Sequence, residues 1–436
     1  MKLSLAMIVK NEADNLGRCL DSVKGLVHEM IVVDTGSTDR TIEIAAENGA
    51  RVEQFVWTGD FSEARNKSLS LCTGDWILVL DGDEMLNPED HQKIRDAMQQ
   101  PDAMGYRLWH KHYLQSGSIF GTGGIAKPND EAFEPASTFS HFIAPTILRL
   151  FRNRNLPLYT GRVHEEMDPW FEKHGYKARF LDVAIHHFGK IDLKRELAKQ
   201  PMYLDLAKKD RADNPDDPLT HFNVLQSALI LKEWPTVIES AREVIKLKAT
   251  APAFVYIAGA KAFVAIGKPE EALEFLAPIE KQDGFDSAML TVKAEALGVL
   301  DRLQEAVNTY VLAIDTDPHY TSSYTGLSRL MDNTGDTEYA RKILEAGLDQ
   351  NPQDQQLWEE LVALSAKYKD PRVSQDAWHA IQAVPKGGQS IWHLLVANIL
   401  YGQGDVEEAI TVLDMGLSAF PGNLEIMGTR RKFTGL

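Results

Sequence analysis

Up to about residue 190, short apolar runs alternate with amphipathic stretches. Leu3–Val9, Met30–Asp34, Arg51–Val56 and Trp76–Leu80 are each too short for a stable helix and are predicted as buried strands. Residues 12–24, 38–48 and 61–72 carry the helical period between them, with Ser37 and Asp60 placed to cap the second and third helices. This alternation predicts a parallel sheet with helices on both faces, the Rossmann-like α/β class. Ligands of such sheets bind beyond the carboxyl ends of the strands, which singles out Lys10–Glu12, Asp34–Ser37 and Asp81–Glu84. Residues 116–143 are rich in Gly, Pro and Ser, lack periodicity, and read as a mobile flap over the site.

After about residue 190 the strand pattern stops. A charged helix over 192–211 leads to Asn214-Pro215-Asp216-Asp217-Pro218, and a repeat follows. GKPEEA (267–272), DRLQEA (301–306) and GDTEYA (335–340) succeed one another at 34 residues, and GDVEEA (404–409) stands 69 beyond the third. EWPTVI (233–238) and KDPRVS (369–374) fit the same period with weaker chemistry, and Pro318 and Pro352 are also 34 apart. This period, with paired helices in each unit, resembles tetratricopeptide repeats, which stack into a superhelix with a concave face commonly used for peptide or protein recognition. The expected organisation is an α/β domain over 1–190, a linker helix over 191–215 and an all-α repeat superhelix over 216–436.

Composition narrows the function. A net charge of −17 counts against a nucleic-acid partner, although a bound divalent cation can reverse the sign locally. Cys19 and Cys72 are too few for a disulfide framework and are expected as small buried residues in helical stretches. The opening MKLSLAMIVKNE breaks its apolar run after seven residues, and no window approaches the ~20 apolar residues of a membrane span, so a cytoplasmic protein is expected.

Asp81-Gly82-Asp83-Glu84 follows an apolar strand, so two carboxylates at i and i+2 can face one hard cation such as Mg²⁺ or Mn²⁺; a plain polar turn would carry the same residues. Asp34 ends another strand and can accept hydrogen bonds from a nucleobase or ribose, with Gly36 permitting close backbone approach; a strand-to-helix turn is the alternative. Arg65 and Asn66 lie one turn into the third helix, within reach of a diphosphate or base, or form an ordinary solvated helix start. Two histidine clusters, His164 beside Glu165 and Glu166, and His186 with His187, fall late in the same domain.

The segments MIVKNE, VVDTGSTDRT, DFSEARN and DGDE, in that order and spacing, resemble the family-2 inverting glycosyltransferases of GT-A fold. The likeness covers about residues 1–90, and extends to about 190 through RVHEE and HHFG. With the repeats attached, the chain is similar to bacterial family-2 enzymes carrying tetratricopeptide repeats, among them the sublancin-type S-glycosyltransferases that glycosylate a peptide cysteine. The resemblance implies a UDP-sugar donor, with Asp34 and Gly36 at the uridine, Arg65 and Asn66 nearby, and Asp81 facing the ribose or the metal. It makes Asp81, Asp83 and His187 the ligands of Mn²⁺ or Mg²⁺, His187 standing two residues before Gly189 in the family's H-x-G position. Lys190 stands where an aromatic is usual. The general base is expected at Glu165, with Glu166 second.

A protein or peptide acceptor recognised with help from the repeats is the leading expectation. The alternatives are a polysaccharide or lipid-linked acceptor, or a scaffold without catalysis; both DxD carboxylates being present counts against the last. A homodimer is among the partners such arrays take, and no sequence feature here calls for one.

Overall fold

The computed structural model describes residues 1–435 except 115–125, 130, 132, 133, 135, 157, 189–192, 249, 281–285, 369, 371 and 384–388. The chain divides into two units, one of Met1–His112 with Ile143–Ala251, the other of Tyr113–Phe142 with Pro252–Leu436.

In the first unit, strands β1 (Leu3–Val9), β2 (Glu29–Asp34), β3 (Arg51–Gln54) and β4 (Trp76–Val79) pair in parallel. They are joined by α1 (Leu16–Ser22), α2 (Thr41–Glu47) and α3 (Phe61–Ser70). Then come β5 (Glu84–Leu86), α4 (His91–Met98), β6 (Gly105–Leu114), β9 (Thr146–Arg152), α5 (Asp168–Lys173) and β10 (Arg179–His187), while β7 (Lys127–Pro128) and most of β8 (His141–Ile143) fall in the Tyr113–Phe142 stretch of the second unit. The sheet runs β3-β2-β1-β4-β9-β6-β10-β5. Beyond β4 it departs from the parallel expectation, because β9 is antiparallel to both β4 and β6. Parallel pairing needs a long crossover, and among the described residues no helix of that length separates β6 from β9.

The continuous apolar runs are sorted by the pleat. Leu3, Leu5, Met7 and Val9 share one buried cluster with Trp76, Leu78 and Leu80, packed on α1 and α4. Ala6, Ile77 and Val79 face the opposite cluster with Leu69 of α3 and Phe171 of α5. Both faces are covered, so polar function is pushed to the strand ends.

Asp60 caps α3, accepting from the Glu63 amide. Ser37 does not cap α2, which opens at Thr41 with its amide on Asp39 at 3.0 Å; the Ser37 hydroxyl instead accepts from the Asn11 amide at 2.9 Å. Cys19 is buried in α1, whereas Cys72 is buried just past the end of α3, outside the helix expected for it. The unit closes with α6 (Leu193–Asp213), α7 (Pro218–Ile230) and α8 (Trp234–Leu247).

The second unit continues the hairpins: α9 (Ala253–Ala265), α10 (Pro269–Glu280), α11 (Ser287–Val299), α12 (Leu303–Thr316), α13 (Ser322–Asn333), α14 (Thr337–Gln350), α15 (Gln355–Lys367), α16 (Val373–Ala383), α17 (Gln389–Gln403), α18 (Val406–Ala419) and α19 (Leu424–Thr434). The first helices of successive hairpins begin at 253, 287, 322, 355, 389 and 424, the period read from the sequence. Small residues let the helices close up: a methyl on Gly259 would meet the Phe275 ring at 2.4 Å. Of the flap expected over 116–143, residues 115–125 lie outside the described residues. The described part is not structureless, since β7 pairs with β8 and Asn129 Nδ2 donates to the carbonyls of Ala136 and Phe139.

Candidate active site

The Asp81–Glu84 turn leaves β4 where the apolar run ends. Gly82 is required there by close approach, since a Cβ would stand 3.0 Å from the Glu12 side chain. The turn closes on itself: the Glu84 amide donates to the Asp81 carbonyl at 3.0 Å, and the Asp81 amide to Glu84 Oε2 at 2.8 Å. Glu84 therefore points inward, fully buried, while Asp81 and Asp83 diverge.

Asp81 is held by two guanidiniums, Arg65 from α3 at 2.5 Å and Arg149 from β9 at 3.1 Å. Burial alone would raise its pKa, but these two cations hold the carboxyl well below the usual range. Arg149 also reaches Glu84 at 3.4 Å, and Arg65 Nε donates to Glu165 Oε1 at 2.9 Å. Arg65 and Arg149 are almost wholly buried, and Arg65 lies over the Tyr159 ring at 5.8 Å. Among the described residues, Arg65 Nη1, Arg149 Nε and the Tyr159 hydroxyl are buried without a partner, a concentration of unspent donors around one pair of carboxylates.

Asp83 turns the other way and meets His187 Nε2 at 3.3 Å. Burial would depress the imidazole, but the Asp83 carboxylate outweighs it and raises the His187 pKa; Asp83 is lowered in return, against its own burial. His187 Nδ1 stands 2.8 Å from His112 Nδ1, and the ring of His110 stacks beside them at 4.1 Å from His112 and 5.3 Å from His187. His110 Nε2 pairs with Glu84 Oε1 at 2.7 Å. His186, on the other face of β10, is buried. Gly189 and Lys190 lie outside the described residues.

The loops after β1 and β2 are laced together. The buried Asp34 carboxylate accepts from the amides of Gly36 and Ser37, both at 3.0 Å, and Gly36 has a φ of 108° that a side chain rarely adopts. Thr38 donates to Asn11 Oδ1 at 2.8 Å, and Glu12 takes its amide to Thr41 Oγ1 at 2.8 Å. Asn66 is spent on the backbone of Tyr159, accepting from its amide at 3.0 Å and donating to its carbonyl at 2.9 Å.

Glu165 sits in a tight loop where Thr160 and Glu166 bridge, Gly161 has a φ of 98° and His164 one of 52°. The loop is anchored from both sides. Its Arg162 carbonyl accepts from the Phe61 amide at the start of α3, and its Arg162 amide donates to Asp210 of α6 at 2.7 Å. The Arg162 guanidinium adds ion pairs to Asp210 and Asp213. The Glu165 side chain is mostly enclosed, whereas Glu166 is exposed. Asp81, Asp83, Arg65, Glu165 and His187 thus form one connected group; Asp34 and Gly36 form the neighbouring strand-end loop, and Asn66 supports from behind.

Sequence reasoning passed over Arg149, His110 and His112, and gave Glu84 no role beyond its place in the Asp81–Glu84 turn. His110 and His112 had a signal, since alternate residues of a strand share a face. Arg149, a single cation inside an apolar strand, had only the rarity of a buried arginine to mark it.

Residues 4–119 match the family model described as glycosyl transferase family 2, and residues 300–365 one described as a tetratricopeptide repeat. The chain therefore joins a segment that matches the family-2 glycosyltransferase model to a later one that matches a tetratricopeptide-repeat model, on a mixed sheet and a helical array. It is similar to a TPR repeat-containing protein of Synechococcus elongatus, 41% identical over 167 residues, which are 38% of this chain and 36% of that protein. It is also similar to an uncharacterized glycosyltransferase of Rickettsia felis, 44% identical over 93 residues, 21% of this chain and 32% of that one. Glycosyltransferase SunS of Bacillus phage SPbeta is 28% identical over 190 residues, 43% of this chain and 39% of that protein. The chain spans about a third of the length of these relatives. Among solved structures, glucosyl-3-phosphoglycerate synthase of Mycobacterium tuberculosis with Mn²⁺, UDP and phosphoglyceric acid is 26% identical over 25% of this chain and 43% of that one, at a TM-score of 0.23. No described helix is long and apolar enough to cross a membrane.

Proposed function

We propose that the protein is a metal-dependent inverting glycosyltransferase that moves a sugar from a UDP-sugar to a protein or peptide acceptor. The reading is carried by one observation: Arg65 joins Glu165 to Asp81, while Asp83 and His187 pair on the far side of the same turn. We place the catalytic domain at 1–190, the linker helix at 191–215 and the repeat array at 216–436. The donor set at Asp83 fits a divalent cation, because its carboxylate meets His187, one of three imidazoles that gather within 4.8 Å of one another. Such a cation, Mn²⁺ or Mg²⁺, supplies charge stabilisation for the leaving diphosphate.

The chain's own groups do the rest. The loop fixed by Asp34 and Gly36 faces the nucleoside, and Arg65 and Arg149 offer unspent N–H groups toward developing negative charge. Glu165 takes the proton of the acceptor hydroxyl or thiol as that atom bonds to the anomeric carbon. The bond from that carbon to the diphosphate oxygen breaks with its electron pair leaving on the diphosphate, so configuration inverts. Glu166, exposed, is the second candidate base, and Asn66 acts as a positioning residue through Tyr159. Asp81, with both oxygens on guanidiniums, belongs to the donor side of the turn rather than to the cation.

Calorimetric titration with UDP and GDP, with and without Mn²⁺, tests the reading. Metal-enhanced binding of UDP supports it, and binding of neither nucleotide overturns it.

A further inference from the structure

The stretch Tyr113–Phe142, which carries β7 and most of β8, belongs to the same compact unit as helices α9–α19. His141 of β8 ties it to them. This residue is 2% exposed, and its Nδ1 stands 2.9 Å from the Ser140 hydroxyl. Its other polar neighbours come from two turns of the repeats: His319, between α12 and α13, and Asn351 and Asp354, between α14 and α15. Burial lowers the His141 pKa and His319 adds to that, while the Asp354 carboxylate and a hydrogen bond to Asn351 oppose it.

Asn351 is oriented to receive the ring. Its Nδ2 donates to the carbonyls of Pro318 at 3.0 Å and Gly347 at 3.2 Å, which fixes the amide and leaves Oδ1 as the acceptor. His319 Nδ1 reaches that oxygen at 2.9 Å, beside the bond to His141. Asn351 stands 34 residues after Asp317, which accepts from the His319 amide at 2.9 Å in the preceding turn. A carboxylate at 351 could not donate to the two carbonyls; an amide donates to them and accepts from imidazoles at once. Asp354 is fully buried and caps α15 on the Leu357 amide at 3.0 Å, so the turn is rigid from both ends. On the strand side, β8 pairs with β7, and the Phe139 ring lies 5.5 Å from that of Tyr113.

We propose that the Asn351 turn of the repeat array is a seat for the chain's own β8, with His141 as the positioning residue that occupies it. Chain continuity gives the seat its consequence. Tyr113 directly follows His112 in β6, and Ile143 leads within six residues to Arg149 of β9, whose Nε is one of the unspent donors. The inference rests on the glycosyltransferase reading for that consequence alone: the repeats steady the arginine that faces the diphosphate, in addition to any part in acceptor recognition. A repeat array exchanged for this one would have to offer the same seat.

The test uses amide exchange and UDP titration on the full chain. His141→Ala and Asn351→Ala should each speed exchange across residues 136–143 at least tenfold while α9–α12 keep theirs, and the double variant should add little to either. His141→Gln, whose amide can still donate to Asn351 Oδ1, should restore most of the protection. UDP affinity should fall about three- to tenfold in the alanine variants. Unchanged exchange in His141→Ala overturns the seat even if Asn351→Ala fails to fold, and effects that simply add in the double variant overturn it too. Faster exchange with unchanged UDP affinity overturns the positioning role. If the unmutated protein binds no UDP, the glycosyltransferase reading fails while the exchange rates still decide the seat.

Discussion

Arg65 and Glu165, one hundred residues apart in sequence, are joined by a 2.9 Å hydrogen bond from Nε to Oε1, and the same guanidinium grips Asp81 with its Nη2. The candidate base is thereby kept at a fixed distance from the strand-end turn by one rigid, planar cation. Glu165→Gln can preserve that hydrogen bond through its amide oxygen while removing the proton acceptor. Sugar transfer should fall roughly 10²–10⁴-fold with UDP affinity nearly unchanged, as read by single-turnover kinetics beside calorimetry. Equal loss of both would reassign Glu165 to binding.

Asp83→Ala should leave the unassisted affinity for UDP within a few-fold and remove most of its enhancement by Mn²⁺. The carboxylate supports His187, and loss of such support typically costs about 10–100-fold in metal affinity. Comparing UDP isotherms at several Mn²⁺ concentrations checks this, and an intact enhancement contradicts it.

The loop carrying Glu165 depends on α6 through Asp210, which accepts the Arg162 amide and faces its guanidinium. Asp210→Ala leaves that amide without its acceptor and should cost about 1–3 kcal/mol of stability. Transfer should fall while UDP still binds, because the loop after β2, which we propose faces the nucleoside, is fixed by its own hydrogen bonds. Thermal unfolding together with a transfer assay reads both effects.

Glu29 sets a pH window for stability. Burial would raise its pKa, but hydrogen bonds from Ser4, from the amide and hydroxyl of Thr73, and from the Gly74 amide lower it overall. A lowered folded pKa gives stability that is complete above the unfolded value of about 4.3 and is lost as pH falls through the folded value. Glu29→Gln should be ~1–2 kcal/mol less stable at pH 7, with the gap closing below about pH 4. A constant gap from pH 3 to 7 in urea denaturation would contradict this.

In the repeats, Arg341 places two nitrogens on Asp376 at 2.7 and 2.6 Å, and Ser365 donates to the same carboxylate at 2.8 Å. Both charged side chains are only 7% exposed, so Asp376→Ala would take the carboxylate from both terminal nitrogens of a buried guanidinium, leaving Glu345 on Nε at 2.8 Å, at a cost of ~3 kcal/mol. Chemical denaturation followed by circular dichroism should show loss of helix at lower urea.

Legibility in the sequence followed locality. The apolar strands β1, β2 and β4, the Asp60 cap and the 34-residue period are encoded within a few neighbouring residues, and the structure has them where the sequence puts them. Arg51–Val56, expected as a buried strand, is instead a half-exposed edge strand over Arg51–Gln54 with Val56 in solvent, because among the described residues no further strand covers that side of the sheet. Ser37 misled because its hydroxyl serves a contact 26 residues away, to Asn11, instead of its own helix. Asp83 announces itself in a motif, but Arg149 is an ordinary residue of an apolar strand until the sheet places it against Asp81 and Glu84. The antiparallel return of β9 was equally hidden, since no short-range pattern states which strand a chain will pair with.

The fastening of Arg162 to Asp210 and Asp213 bears on how such proteins can be recombined. A catalytic cassette cut at the last strand of the sheet would leave the Glu165 loop with an unsatisfied amide and an unpaired arginine. Grafting this domain onto a foreign repeat array therefore requires α6 to travel with it, and the natural seam for exchange lies further along the chain, near Ala251, where the first unit ends.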